Sequence, residues 1–384
     1  MPSIGNFNGQ RLRMARIMKG LSSPQLALKL DVSKQAVWQY ENNKNSPASD
    51  TLFKICTTLG FPFQFFHEGK EDQIILGNSF CRTVTSTAKC VKEREQICNV
   101  FRALLISFFS KYVTFPYRKY TGPSIELCKN MDQYTMMIRS FYDLGFEPIN
   151  NMINFLENIG IVVATFHHVE DKFDGMSQAP IINGEKYKIT IYNLENTTFA
   201  RIQFTLAHEL GHWLLNHINS DEETLKSTDY KDNEKEANEF AACLLLPKEP
   251  FVKDLYDPSN LMSYVDLKKK WKVSVATMIM RAHSLKLISY TQYQNLYRQL
   301  SKKGWRVSEP YDNLSIIPKP TLLPQAVEIL SDNNIIPKSK LSDNLAKNCF
   351  SASQKFYEEL IGLKPHDLDP IRISEPTLKL KTIT

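Results

Sequence analysis

Residues 207–212 read Ala-His-Glu-Leu-Gly-His, and this stretch limits what the chain can fold into more than any other. Side chains four apart on a helix stand one turn above each other, so His208 and His212 share a face with Glu209 beside them. Phe204, Leu206, Ala207, Leu210, Trp213 and Leu214 give an apolar face to a helix predicted over 198–217. The imidazole pair therefore belongs at a protein interior. There it can hold a divalent cation, and the adjacent carboxylate can take a proton from attacking water. Two histidines do not complete such a site: zinc needs a third protein ligand and keeps its fourth position for water.

The third ligand is sought downstream, where a helix over 233–246 carries the stripe Ala237, Phe240, Ala241 and Leu244 and stops at Pro247. Glu236 directly precedes the stripe and is read as the inward carboxylate, with Glu234 and Glu239 as competitors. His217 either orients a ligand, contacts substrate or is structural. Lys188–Tyr192 alternates and predicts a strand just before the histidine helix. That strand is either internal or borders a cleft and pairs with an extended peptide. Neither Tyr187 nor Tyr192 is assigned as an oxyanion donor.

The first fifth of the chain has a different character. Residues 1–70 hold nine basic and four acidic residues, net +5, whereas the other 314 carry only +1 of the total +6. A charge concentrated in this way fits a module that faces nucleic acid. Short helices are predicted over 11–19, from Ser22 to Leu30, from Ser33 to Glu41, and over 49–59. Ser22 and Gln25 have capping-box spacing, Pro24 lies in the first turn, and Gly20 and Gly60 end helices. Ala36, Val37 and Tyr40 point inward, which leaves Lys34, Gln35, Trp38 and Gln39 outside. A helix exposing Gln and Lys near its N-terminus suits major-groove reading, because the Gln amide pairs bidentately with adenine. Ser33, Asn42, Asn43 and Lys44 are expected to face phosphate.

Two resemblances follow from these residues. Leu21–Ala27, Val32–Glu41 and Pro47…Leu52…Ile55…Leu59-Gly60 resemble the phage-repressor-like (Cro/CI, XRE) helix-turn-helix family over about 10–66. Asp31 stands where the family usually has the turn Gly, and Ser23 where it usually has Gln. Arg201–His212 followed by Glu234-x-Glu236-Ala237-Asn238-x-Phe240-Ala241-Ala242-x-Leu244-Leu245-Leu246-Pro247 resembles the ImmA/IrrE zinc peptidases, gluzincin-type enzymes distantly similar to thermolysin. That match reaches upstream through Asn150, Leu156-Glu157, Gly160-Ile161 and Phe173–Ser177, and weakens over 250–300. Carried onto this chain, it implies one zinc ion held by His208, His212 and Glu236, with Glu209 as general base. It further implies cleavage of a repressor-like regulatory protein in response to stress such as DNA damage. The alternative it leaves is a repressor or antitoxin whose zinc domain binds a partner, such as a toxin, without proteolysis.

The fold class expected is mainly α with a small β-sheet (α+β): a helix-turn-helix bundle, a gluzincin-like domain and a small helical C-terminal domain. The expected boundaries are 1–70 for the DNA-binding domain, 71–125 for a helical connector and 126–300 for the peptidase domain. Residues 301–384 follow as a Pro-rich linker and helical domain. Ile97, Val100, Phe101, Leu104, Leu105, Phe108 and Tyr112 stripe a connector helix over 92–113, either packing on the next domain or forming a homodimer seam. Trp271–Leu287 predicts further helix, with His283 packed. A 42% hydrophobic content excludes a disordered chain, and no apolar run approaches a membrane span. Seven cysteines without a Cys-x-x-Cys pair or a secretion signal point to reduced thiols and a cytoplasmic protein, which disfavours a digestive peptidase. The expected partners are an operator in double-stranded DNA and a protein substrate or partner, with no membrane.

Overall fold

A computed structural model describes residues 7–67, 73–80, 86–116, 123–167, 173–195, 197–219, 227–314 and 316–369. The chain opens with helices α1 (Gly9–Met18), α2 (Ser23–Leu30), α3 (Lys34–Glu41) and α4 (Ser49–Leu59). Their ends are set by local chemistry. Ser22 and Gln25 form the reciprocal capping box, and Ser33 Oγ accepts from the Ala36 N–H at 3.0 Å. Asp31 takes the left-handed conformation of the turn, φ 57° and ψ 48°, which a short polar side chain tolerates. The turn therefore survives the loss of glycine.

Arg16 binds this bundle together. Its guanidinium meets Glu41 at 2.5 Å and donates to the Leu21 carbonyl at 2.7 Å, with both side chains nearly out of solvent. Removing one partner of a buried pair strands the other charge. Arg16→Met is expected to destabilise this unit by about 3–5 kcal/mol, measured by denaturant unfolding. An unchanged midpoint would mean that the pair contributes nothing.

After the bundle come β1 (Ile74–Ile75), β2 (Ser79–Phe80) and the long helix α5 (Ser86–Phe109). Helices α6 (Met131–Phe141) and α7 (Met152–Asn158) precede five strands: β3 (Val162–Phe166), β4 (Gly175–Gln178), β5 (Ile181–Ile182), β6 (Glu185–Lys186) and β7 (Ile189–Asn193). Then follow α8 (Phe199–Leu214), α9 (Ser227–Leu245), α10 (Lys248–Asp254), α11 (Leu261–Trp271), α12 (Val275–Ser284) and α13 (Tyr290–Lys302). The last three are α14 (Leu322–Asp332), α15 (Lys338–Asn348) and α16 (Gln354–Ile361). The fold is thus mainly α with small sheets. The main sheet has the order β2-β4-β7-β3, with β7 antiparallel to β4 and parallel to β3, and β1-β5-β6 form a second sheet. Every residue of β4 and β7 is buried.

These elements form two compact units. One comprises Met1–Asp72, Leu104–Val113 and Leu323–Thr384, the other Gln73–Ala103 and Thr114–Leu322. The grouping differs from the four consecutive segments read from sequence, for two reasons. Residues 73–80 of the connector add strands to the sheets of the second unit. In the first unit the C-terminal helices gather with the N-terminal bundle, where the rings of Phe61 and Phe356 meet edge to face at 5.6 Å. From Glu95 to Phe109 helix α5 is buried around its circumference, with Ile97, Val100, Phe101, Leu105 and Phe108 on one side and Asn99, Arg102, Ala103 and Phe109 on others. It is a core helix whose stripe is used within the chain, although Tyr112 just beyond it is 44% exposed. Cys56, Cys90, Cys128 and Cys243 are free thiols; Cys81 lies outside the described residues. No described helix is long and apolar enough to cross a membrane.

Candidate metal centre

Helix α8 begins at the Thr198 cap and carries His208, Glu209 and His212 across the second unit's core. Two hydrogen bonds tie it to the sheet. The Trp213 indole donates to Thr190 Oγ1 of β7 at 2.9 Å, and that hydroxyl also meets Ser177 Oγ of β4 at 2.9 Å. Helix α9 crosses α8 closely because Gly211 has no side chain. A Cβ there would stand 3.1 Å from Phe240 Cδ1 and 3.2 Å from Ala237 Cα.

The Nε2 atoms of His208 and His212 converge to 3.0 Å. Glu234 Oε1, from α9, lies 3.8 Å from the first and 3.5 Å from the second. In tetrahedral zinc with bonds of about 2.0–2.1 Å, neighbouring donors stand about 3.4 Å apart, so this donor set fits the ion in both type and spacing. The group is the one His/Cys/Asp/Glu cluster among the described residues whose donor atoms all lie within 4.8 Å of one another.

The carboxylate that the structure brings to the two histidines is Glu234, not the Glu236 expected from the sequence. At 100° per residue, positions 234 and 236 point about 160° apart around α9, so only one of them can face the histidines. The stripe Ala237–Phe240–Ala241–Leu244 turns Glu234 toward α8 and leaves the Glu236 side chain 54% exposed. Glu239 is exposed as well.

Glu236 still reaches the centre, one step removed. Its Oε2 lies 3.3 Å from His217 Nε2, and His217 Nδ1 lies 2.9 Å from His212 Nδ1. His217 thus stands between Glu236 and His212, a placement from which it could orient that imidazole. On the other ligand, His208 Nδ1 lies 3.2 Å from Asn238 Oδ1, and Asn238 Nδ2 donates to the Glu234 carbonyl at 2.8 Å. Contacts of this kind fix which nitrogen each ring presents to an ion.

The electrostatics suit cation binding. Burial, reinforced by the charges of His208 and His217, lowers the His212 pKa to about 3, which keeps this imidazole neutral. Burial also lowers the His217 pKa. Burial opposes ionisation of Glu234, but its hydrogen bonds with His208 and His212 outweigh that and hold its carboxyl far below the usual range. Burial lowers the His208 pKa too, yet bonding to Glu234 and the charges of Glu209 and Glu234 raise it overall.

Glu209 is 4% exposed and faces β4, where a Cβ on Gly175 would come within 3.3 Å of its Oε1. Two aromatic residues absent from the sequence reading complete the surroundings. The Phe80 ring of β2 lies 4.0 Å from that of His212, and Tyr230 stacks on Phe80 at 5.2 Å. The Tyr230 hydroxyl is 3.4 Å from Glu234 Oε1. Strand β7 carries the 188–192 alternation but is paired on both edges, so it is an internal strand. The Tyr192 hydroxyl meets the Pro318 carbonyl at 3.4 Å.

On the N-terminal unit, α3 exposes Lys34, Gln35 and Trp38 and half-buries Gln39, while Val37 and Tyr40 are in the core. Three of the residues expected on DNA use side-chain atoms on their own backbone. Ser33 caps α3, Asn42 Nδ2 donates to the Trp38 carbonyl at 2.8 Å, and Asn43 Oδ1 accepts from the Gly9 N–H at 2.7 Å. Lys44 is exposed.

Comparison with known proteins finds a known domain over each of these regions. Residues 12–66 match the family model described as helix-turn-helix, and residues 184–283 match a peptidase model described as IrrE N-terminal-like domain. Curated relatives match the N-terminal part. The HTH-type transcriptional regulator SutR of Escherichia coli is 38% identical over 66 residues, 17% of this chain and 37% of that protein. An uncharacterized HTH-type transcriptional regulator of Rickettsia prowazekii is 36% identical over 69 residues, 18% of this chain and 53% of that protein. The matched stretch thus spans about a third to a half of these relatives. The chain joins an XRE-type helix-turn-helix domain to an IrrE/ImmA-like domain.

Proposed function

We propose that this chain is a DNA-binding transcriptional regulator whose IrrE-like domain is a zinc-dependent endopeptidase that cuts a repressor-like regulatory protein under stress. The observation that carries the reading is the convergence of His208, His212 and Glu234 with Glu209 buried beside them. When bound there, zinc would supply a Lewis acid for the scissile carbonyl. Glu209 would accept the proton of the attacking water and return it to the leaving amine. His217 and Asn238 would hold the two imidazoles in register, and the surrounding core would exclude bulk water.

At the other end of the chain, α3 would enter the major groove, with Gln35, Gln39 and Trp38 at base edges and Lys34 and Lys44 at phosphate. Ser33, Asn42 and Asn43 remain at the same surface, where Ser33 and Asn43 use their side-chain oxygens as acceptors of backbone N–H groups and would turn the hydroxyl and amide donors to phosphate. Two copies on paired half-sites would suit such a module, and its place of action would be the cytoplasm. Binding without proteolysis is a second reading. Phe80 favours it, because its ring covers a metal histidine.

The test compares new protein N-termini in host cells expressing the wild type or Glu209→Gln, with and without DNA damage. Cleavage products present only with the wild type are expected, and they would name the substrate. Identical N-termini under every condition would leave the binding-only regulator.

A further inference from the structure

The strand nearest the catalytic carboxylate is β4. Gly175 on it faces Glu209, and Ser177, two residues on and therefore on the same face, is bonded through Thr190 to Trp213 of α8. One edge of β4 is paired with β7. The other pairs antiparallel with β2, Ser79 opposite Gln178 and Phe80 opposite Ser177. Residues directly opposite in such a pair share a face, so Phe80 projects to the side where α8 lies. Its fully buried ring is 4.0 Å from the His212 ring and 5.9 Å from the His217 ring, and it stacks on Tyr230.

We propose that the outer edge of β4 is the peptide-binding edge of this domain, and that residues 76–80 of the chain itself occupy it as an internal substrate mimic. An extended peptide adds to a sheet edge through backbone hydrogen bonds, and pockets for alternate side chains give selectivity. The pocket here is the one Phe80 fills, walled by His212, His217 and Tyr230. It takes a large apolar side chain, so the partner is an extended peptide carrying an aromatic or bulky aliphatic residue. The inference rests on the peptidase reading for its chemistry, but peptide capture at β4 does not require turnover.

The segment is anchored upstream, where Ile74 and Ile75 pair with β5 and Gln73 exchanges hydrogen bonds with Asn183, and it meets the β4 side through the following contacts. The Ala179 N–H donates to the Asn78 carbonyl at 3.1 Å, and Gln178 Nε2 donates to the Leu76 carbonyl at 2.8 Å while its Oε1 accepts from Asn99 at 3.1 Å. Ser79 Oγ accepts from Gln96 at 2.8 Å. Gly77 has φ +67°, and a Cβ on it would fall 1.9 Å from the Ala179 carbonyl oxygen, so only glycine lets the segment lie down. Pairing over two residues is far shorter than an ordinary strand, which suits an occupant that another peptide can replace. The segment follows directly on the helix-turn-helix module in sequence.

The test uses the full-length, zinc-loaded chain carrying Glu209→Gln, alone and combined with Phe80→Ala or with Gly77→Ala. The second change unseats the segment without touching the centre, and thermal melts confirm that each protein is folded. The probe is a fluorescein-labelled peptide with the sequence of residues 73–80, followed by anisotropy. A tethered occupant competes at millimolar effective concentration, so both variants are expected to bind the peptide at least about 10-fold more tightly than the parent. The same peptide ending in Ala instead of Phe should lose that gain. Equal affinity for all three proteins, or a gain indifferent to the peptide's Phe, overturns the proposal. Restoring Glu209 separates the two readings. Tight binding without cleavage of the peptide or of casein leaves the β4 edge standing and removes the peptidase. Cleavage without any gain in binding does the reverse.

Discussion

Glu234→Ala is expected to lower zinc affinity by more than about 100-fold, whereas Glu236→Gln should cost no more than about 10–100-fold, the range for residues that orient ligands. The difference follows from placement. Glu234 Oε1 lies 3.5 and 3.8 Å from the two imidazole nitrogens, and its loss leaves two histidines that cannot close a tetrahedral site. Glu236 meets His217 and not the two histidines of the centre among the described residues, and a Gln there still offers an oxygen or an amide to that ring. Competition against a chromophoric chelator at fixed pH measures both constants. A larger loss from Glu236→Gln than from Glu234→Ala would return Glu236 to the ion and discard the phase of α9 described above.

Glu209→Gln is expected to reduce peptide hydrolysis by about 10²–10⁴-fold while leaving zinc affinity within a few-fold of wild type, because proton transfer by a positioned carboxylate contributes on that order. The amide keeps the size of a buried side chain beside Gly175, so helix packing is undisturbed. Turnover of the substrate found by N-terminal mapping, together with zinc titration of the same preparations, separates the two effects. A parallel fall in zinc binding would mean that Glu209 serves the ion directly rather than the water.

How much of this was readable beforehand depended on the range of the interaction. Ser22 with Gln25, Ser33 and Gly60 declared helix ends because a cap is completed within a few residues. His208 and His212 declared a shared face for the same reason. Glu234 and Glu236 flank the start of one apolar stripe, and choosing between them requires knowing where α8 crosses α9. That crossing is set by Gly211 against Ala237 and Phe240, residues 26 to 29 positions downstream. The 188–192 strand was visible in its alternation, but both its neighbours come from elsewhere in the chain. Phe80 gave no signal at all. A two-residue strand has no period, and its partner Ser177 is far away in sequence. The C-terminal helices were visible singly, while their gathering with the N-terminal bundle depends on contacts such as Phe61 with Phe356.

The bare Cα of Gly211 makes the centre a gauge of helix separation. Two donors ride on α8 and the third on α9, so the triangle they form keeps its size only while the helices touch at that point. An ion with bonds of about 2 Å cannot span donors that part by much more than the breadth of one methyl group. Any event that wedges α9 outward would therefore empty the site before it unfolded either helix, and metal content would register strain in the core.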